Sequence, residues 1–448
     1  MQRAMAHYVP REMAVLGLVE VALSFLVIYV ILNVSGTPDW ISGSLRTLTA
    51  PTAAAAALLA LGISLIALPI GLYQPEVCLD RRRLLPATCL AAGLIFAALL
   101  LFGRPDGRLT LGHAVETARL GAAGLATMTF VRIVWRLDIV RNRLARPVLV
   151  LGAPADAAAF RARLDTRRGR NFKPVAMPEG DASWQALRRR GIWGVVLASG
   201  VEPPMAEAIL DCKLRGLPVL SAAAFHDRYL ARVDLDSLTA DGLINADGFA
   251  RGCGSAALKR ASDIVFSIAA LLLTLPMMIA AAAAIKLDSR GPVFYRQQRA
   301  GRFGKAFTIF KFRSMAADAE ACGRPRWTQR QDPRITRVGR FMRASRIDEL
   351  PQLVNVIRGE MSLVGPRPER PHFVEQLARA IPFYHQRTYV KPGLTGWAQV
   401  NYPYGASVED AREKLAYDLY YVKHRTIWLD LVILLSTIRV VLFSDGAR

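Results

Sequence analysis

The chain has 448 residues, 52% of them hydrophobic, and its 58 Lys+Arg against 36 Asp+Glu leave a net charge of +22. That length allows two or three domains, and apolar excess combined with basic excess calls for membrane segments plus a surface that meets anions. The five cysteines (Cys78, Cys89, Cys212, Cys253, Cys322) form no C-x-x-C pair and have no histidine cluster beside them, which argues against a zinc site or a disulfide framework and fits reducing cytosol.

Apolar stretches near 13–34, 49–71, 84–102 and 114–135 each approach the ~20 residues that a hydrocarbon core requires. The fourth is the weakest, being interrupted by Glu116, Arg119 and Arg132. The first stretch is long and lacks a small-residue cleavage site, so no cleavable signal peptide is expected. Arg3 and Arg11 precede the first stretch, Arg81, Arg82 and Arg83 lie between the second and third, and Arg136, Arg141, Arg143 and Arg146 follow the fourth. The positive-inside rule then places both ends of a four-span bundle (1–146) in the cytoplasm. Glu116 and Arg119 read as a solvated helix end rather than a transport site, and the bundle reads as an anchor or assembly device.

PVLVLGAP (147–154) reads as a strand entering a glycine turn. FKPVAM, WGVVLAS and LPVLSA then alternate with helical stretches at 181–190 and 204–216. This alternation predicts a small Rossmann-like α/β module over 147–235. The phosphate fingerprint is broken, because Gly152 is followed by Ala153, Pro154, Ala155 and Asp156, and Asp156 would place negative charge where a pyrophosphate sits. Glu179 after the second strand is weak support for a ribose contact. A structural or regulatory module is favoured over a working NAD site. Residues 236–257 are rich in Gly, Asp and Ala and read as a linker.

No charge occurs from Ile264 to Ile285, a length sufficient to span. Lys259 and Arg260 precede this segment, Lys286, Arg290, Arg296 and Arg299 follow it, and Pro276 sits inside it. Basic flanks on both sides together with a proline predict a re-entrant helix (261–286) that bends at Pro276 and returns to its own leaflet, with Thr274 or a neighbouring donor serving the freed carbonyl. A kinked span is the plainer alternative.

The remainder, 258–448, reads as a mixed α/β catalytic domain. GPVFYRQQRAGRFGKAFTIFKFRSM (291–315) alternates β-formers with basic residues. A basic amphipathic helix carrying Ile335, Val338, Phe341 and Met342 then leads to SRIDELPQ (345–352), its apolar side suited to a membrane interface. Proline is tolerated in a first helical turn, so Pro351 starts a helix near Asp348 and puts Asp348 and Glu349 at the positive end of its dipole. Such an aspartate, with arginines nearby, stays ionised and can attack a phosphoryl group. A divalent cation held by Asp348 and Glu349, Mg²⁺ best matching oxygen ligands, would offset the charge of acids plus phosphates. Arg367, between two prolines, presents a guanidinium in a fixed direction for a phosphate. The plain alternative is that the acids merely cap a helix. Ser407 with Asp410 marks a further helix start, and 426–443, holding Asp430 and Arg439, reads as an interfacial helix.

KFRSM (311–315), DELPQ (348–352), GPRP (365–368) and PGLTGWAQ (392–399) occur in this order and resemble the bacterial polyprenyl-phosphate hexose-1-phosphate transferases, the monotopic phosphoglycosyl transferases. The resemblance runs from about Lys259 to the C-terminus. The N-terminal bundle and module are similar to the large exopolysaccharide-initiating members, and 381–411 looks most like the exosortase-associated type. It implies transfer of a hexose-1-phosphate from a UDP-sugar to undecaprenyl phosphate with release of UMP. Asp348 would form a covalent phosphosugar intermediate, Glu349 would assist at a Mg²⁺ site, Lys311, Arg313 and Arg367 would contact phosphates, and Pro276 would break the re-entrant helix. It further implies a multi-pass protein of the bacterial inner membrane with its catalytic domain facing the cytosol; a homo-oligomer is allowed. Against it stands a membrane-anchored regulatory or assembly scaffold without catalysis. A nucleic-acid binder, suggested only by charge, lacks a groove-reading element.

Overall fold

The computed structural model describes residues 11–35, 51–73, 81–102, 111–135, 146–164, 172–175, 183–241, 253–316, 332, 334–402, 405 and 407–442. Glu179, Cys78, Cys322, most of the expected linker and the arginines at 3, 136, 141 and 143 lie outside them. The chain divides into two units, Met1–Ala222 and Ala223–Arg448.

Unit 1 begins with four helices, α1 (Arg11–Ser35), α2 (Pro51–Ile70), α3 (Arg81–Phe102) and α4 (Leu111–Trp135), at the four apolar stretches. Within this unit Val15–Val34 is long and apolar enough to cross a membrane, while Thr52–Leu68 and Leu84–Leu99 are shorter apolar helices. α4 carries the charges that weaken it. One of them, Arg132, is fully buried and donates to both carboxylate oxygens of Glu20 on α1 at 2.7 and 3.3 Å. Its guanidinium also lies over the Tyr73 ring at 5.6 Å. Burying these charges is tolerated only because each meets the other.

The same unit holds a four-stranded parallel sheet of order β2-β1-β3-β4, made of β1 (Arg146–Leu151), β2 (Phe172–Val175), β3 (Gly194–Leu197) and β4 (Val219–Ser221). Helices α5 (Pro154–Leu164), α6 (Trp184–Arg189) and α7 (Pro203–Leu214) alternate with the strands, the crossovers that parallel pairing requires. Gly152 after β1 has φ +137°, and a Cβ there would meet the Ser199 hydroxyl at 2.6 Å. The Ala153 amide at this turn, which a phosphate would need, donates instead to Ser199 Oγ at 2.7 Å.

Unit 2 begins with residues 223–241, which the sequence reading divided between module and linker. They pack on the rest of unit 2. Trp397 Nε1 donates to Ala231 O at 2.8 Å, Val233 N to Ala416 O at 3.0 Å, and Arg232 pairs with Glu413 at 2.7 Å. Asp227 binds His424 and Lys423, and Asp236 binds Arg412. This strap carries its own buried apolar residues, Phe225, Leu230 and Ala231, which is why it belongs with unit 2.

Next comes α8 (Cys253–Asp288), one helix assigned through Pro276. Its middle is exposed and apolar, with Leu273 82% accessible, and Ala256–Asp288 is the second stretch long enough to cross a membrane. Both ends dock on unit 2. Arg260 donates to the Val356 and Ile357 carbonyls, both at 2.6 Å, Asp263 accepts from Leu363 N, and Asp288 accepts from Val338 N. Pro276 lacks the N–H that would serve Leu272 O. The Thr274 hydroxyl does not replace it, donating to Ala270 O at 2.7 Å.

The hairpin β5 (Phe294–Ala300) and β6 (Ala306–Phe312) follows. Then come α9 (Arg337–Ala344), a 3-10 turn (Ile347–Gln352), α10 (Leu353–Arg358), β7 (Ser362–Val364), α11 (Pro371–Ala380), a 3-10 turn (Tyr384–Tyr389), β8 (Gly393–Thr395), α12 (Trp397–Asn401), α13 (Val408–His424) and α14 (Ile427–Leu442). β7 and β8 pair in parallel. The basic helix is shorter than expected, and Val338 and Met342 pack with Ala281, Ile285, Phe312 and Ile347 in the unit's own core, leaving Phe341 exposed. The Ser407–Asp410 capping box is present. α14 buries Leu429, Val432 and Ile433, exposes Ile427, Trp428 and Leu431, and ties Asp430 to Lys259 at 2.8 Å and to the Tyr421 hydroxyl at 2.8 Å.

Candidate active site

Asp348 and Glu349 open the 3-10 turn, not an α-helix, and α10 proper begins only after Pro351. Pro351 has no N–H to give an i−4 carbonyl, so the tighter turn forms first. Arg346 caps it with φ 60° and ψ 14°, a left-handed backbone that arginine seldom adopts. That reversal turns both carboxylates inward, and each side chain is buried.

The two neighbours live in opposite surroundings. Glu349 Oε1 takes Arg367 Nη2 at 2.6 Å and Lys311 Nζ at 3.0 Å, while among the described residues Oε2 has only Arg367 Nη1 at 3.5 Å and Arg346 at 3.8 Å. Burial alone would raise its pKa, but Arg367, Lys311 and Arg346 outweigh burial and hold it well below the usual carboxylate range. Asp348 accepts no hydrogen bond from the described residues. Burial, aided by the Glu349 charge, pushes it up to about 6 against the pull of Lys311, Arg343 and Arg367. One acid is fixed as an anchor for cations, and the other is left as an available, basic carboxylate.

Arg367 is aimed by backbone packing. A Cβ at Gly365 would overlap Lys391 O, one at Gly393 would overlap Gly365 N, and one at Gly396 would overlap Gly365 O. The glycines of GPRP and PGLTGWAQ are therefore where two chains press together. Flanked by prolines that donate nothing, the Arg367 loop is braced from outside. Arg387 Nη2 donates to Arg367 O at 3.0 Å and Arg299 Nη1 to Pro368 O at 3.1 Å. Arg387 is itself buried against Asp418 at 2.8 Å and the Tyr384 hydroxyl at 2.9 Å. Gln399 Oε1 stands 3.4 Å from Arg367 Nη1, and its buried Nε2 has no partner among the described residues.

The structure thus brings Lys311, Arg367, Asp348 and Glu349 together. Arg313 stands apart from them: it donates to Arg290 O at 2.9 Å and to Ser289 O at 2.7 Å, covering the C-terminal end of α8. β6 ends at Phe312, so the strand alternation that would have put Arg313 beside Lys311 no longer applies. These hydrogen bonds are those of a helix cap, and among the described residues none joins Arg313 to the acid pair. Pro276 sits in the exposed middle of α8 and contributes nothing to this cluster. Sequence reasoning missed Arg346, Arg387, Asp418 and Gln399. Gln399 was within a quoted motif, whereas the Arg387–Asp418 pair had no local signal.

No group of three or more metal-ligating His, Cys, Asp or Glu side chains occurs among the described residues. A Mg²⁺ ion needs no such cage, since one or two carboxylates plus substrate phosphates suffice. The Asp348 carboxylate, which accepts no hydrogen bond from the described residues, and the weakly engaged Glu349 Oε2 fit that kind of site.

Residues 254–444 match the family model described as "Bacterial sugar transferase". Over 299 residues the chain is 43% identical to the UDP-N-acetylgalactosamine-undecaprenyl-phosphate N-acetylgalactosaminephosphotransferase of Aeromonas hydrophila, covering 63% of this chain and 70% of the relative. It is 33% identical over 444 residues to the undecaprenyl-phosphate glucose phosphotransferase of Komagataeibacter xylinus, covering 92% and 80%. The exopolysaccharide production protein PSS of Rhizobium leguminosarum bv. phaseoli is 43% identical over 189 residues, only 40% of this chain but 93% of that protein.

Proposed function

The chain belongs to the bacterial sugar transferases, and within that family we propose that it moves a hexose-1-phosphate from a UDP-sugar to undecaprenyl phosphate, the first membrane step of exopolysaccharide synthesis. The observation that carries this is the divided acid pair, an Asp348 that accepts no hydrogen bond from the described residues beside a Glu349 bound by Lys311 and Arg367.

In the first step an Asp348 carboxylate oxygen attacks the sugar-bearing phosphorus of the donor. The phosphorus–oxygen bond of the pyrophosphate breaks, UMP leaves, and an aspartyl phosphosugar remains. In the second step a phosphate oxygen of undecaprenyl phosphate attacks the same phosphorus, Asp348 departs as carboxylate, and the lipid diphosphate-linked sugar is formed. Dividing one transfer in this way gives two easier displacements. Asp348 would be mostly ionised at neutral pH yet more basic than an ordinary aspartate. Lys311 and Arg367 would leave Glu349 in part to stabilise the phosphoryl oxygens, and Arg387 and Arg299 hold the Arg367 loop while they do. A Mg²⁺ ion held by Asp348 and Glu349 would supply charge neutralisation for the pyrophosphate.

The proposal includes a four-helix membrane anchor, a cytosol-facing catalytic unit in the bacterial inner membrane, and α8 as a re-entrant helix. Distances support the last point. A straight helix would separate Arg260 from Ile285 by about 37 Å. Their partners Val356 and Ile347 are separated by only about 14–18 Å of 3-10 and α turns. A bend at Pro276 would reconcile the two and would set the catalytic pair near headgroup depth.

The test is UMP release by detergent-purified protein from a panel of UDP-sugars, with Mg²⁺ and with or without undecaprenyl phosphate. One sugar should give lipid-dependent turnover that Asp348→Asn abolishes, and the phosphosugar should be trapped on Asp348 when lipid is withheld. Consumption of no UDP-sugar, with the variant indistinguishable from wild type, would return the acid pair to a helix cap and the protein to a scaffold role.

A further inference from the structure

The tip of the β5–β6 hairpin is built against the usual economy of a soluble surface. Phe303 holds φ 56° and ψ 29°, a conformation that bulky residues rarely adopt, yet its ring remains 56% exposed. Tyr389, 54% exposed, meets that ring edge-on at 5.8 Å. Arg302 lies over Phe303 at 4.6 Å and donates to Tyr389 O at 3.3 Å, and Lys305 beside it is exposed. Two large rings are thus locked together in an outward position and framed by cations.

Behind the tip stands Lys391, whose ammonium has no hydrogen-bond acceptor among the described residues. Burial and the charges of Arg260, Arg302 and Lys259, opposed by Asp263, lower its pKa. A Cβ placed on Gly359 would lie 3.2 Å from an Arg260 nitrogen and 3.5 Å from Lys391 Nζ, so the two cations share one small space. Arg260 belongs to the first turns of α8, directly ahead of its exposed apolar stretch, and Leu258 beside it is 59% exposed. The patch is therefore continuous with the segment that enters the bilayer.

We propose that Phe303 and Tyr389, with Arg302, Lys305 and Lys391, dock on the anionic phospholipid headgroups of the leaflet that receives α8. Aromatic rings among cations at an apolar boundary suit the chemistry of that layer, where rings sit at headgroup level and each cation is attracted to acidic lipid. A second copy of the chain fits less well, because a two-fold contact would set this positive patch against itself.

The inference rests on α8 lying in the membrane, so the experiment reports on both. Full-length Phe303→Trp and Leu273→Trp variants are placed in nanodiscs of phosphatidylglycerol or of phosphatidylcholine, each with and without brominated acyl chains. The emission of the wild type's seven tryptophans is subtracted. Bromine should quench the added tryptophan of Phe303→Trp in phosphatidylglycerol by about half, and much less in phosphatidylcholine. Adding Arg302→Gln and Lys391→Gln should erase the difference between lipids, each lost cation weakening the headgroup attraction about five-fold. Quenching of Leu273→Trp with none at Phe303→Trp overturns the docking surface and leaves the helix reading standing; no quenching at either overturns both. Equal quenching of Phe303→Trp in the two lipids overturns the selectivity for anionic headgroups. A blue-shifted, unquenched Phe303→Trp signal together with cross-linkable dimers assigns the patch to a second copy and overturns the proposal.

Discussion

Replacing Asp348 with asparagine should stabilise the protein while abolishing its transfer activity. The carboxyl titrates at 3.8 in the unfolded chain and at about 6 when folded. Between those values the folded protein binds more protons, so stability falls as pH rises through the window and stays low above it. The shift corresponds to roughly 3 kcal/mol at neutral pH. For a cooperative unit of 150–250 residues that is about 6–12 °C in melting temperature. Asparagine removes the buried charge with almost no change of shape. Melting of wild type and Asp348→Asn would be followed by fluorescence in EDTA, at pH 7.5 and at pH 4.5, with UMP release measured on the same samples. The variant should melt higher by that margin at pH 7.5, with the gap narrowing at pH 4.5, and its turnover should fall by about 10⁴-fold or more. Equal melting at pH 7.5, or a gap insensitive to pH, would refute the assignment of Asp348 as the strained acid of the pair.

Arg387→Ala should cost about 3–5 kcal/mol by orphaning buried Asp418, and should also lower turnover by freeing the carbonyl of Arg367; denaturant titration and steady-state kinetics check the two effects. Lys311→Ala should reduce kcat/KM for the donor at least about 100-fold, whereas Arg313→Ala should leave the donor KM within about two-fold and lower the melting temperature, as expected for a residue that caps α8. Gly365→Ala should destabilise by about 2 kcal/mol or more, seen as a lower denaturation midpoint, because its Cβ would overlap the Lys391 carbonyl.

The parts legible in the sequence were those written locally. Apolar runs located α1 to α4 and α8, alternation located the parallel sheet, and DELPQ with GPRP located the acids and Arg367. Longer-range features had no local trace. Glu20 and Arg132 pair across 112 residues, so a charge that seemed to spoil the fourth span proves to be half of a buried pair. Arg313 follows the pattern of Lys311 in sequence and departs from it only because β6 stops one residue earlier. The strap at 223–241 looked like module and linker because its partners, Trp397 and the 412–424 face of α13, come nearly two hundred residues later.

That separation orders the folding of the chain in time. The Ala231–Trp397 bond spans 166 residues, the Arg232–Glu413 pair 181, and the Asp227–His424 contact 197. At bacterial rates of synthesis of up to ~20 residues per second, falling to ~5, the strap emerges about 10–40 s before its last partner. α8 lies between the two. The catalytic unit thus cannot close until α8 has already left the ribosome, so synthesis of the long apolar helix precedes completion of the unit that holds the acid pair. High contact order, ordinarily a cause of slow folding, here acts as a schedule: the strap waits on α13, so the unit that holds the acid pair is completed only near the end of synthesis.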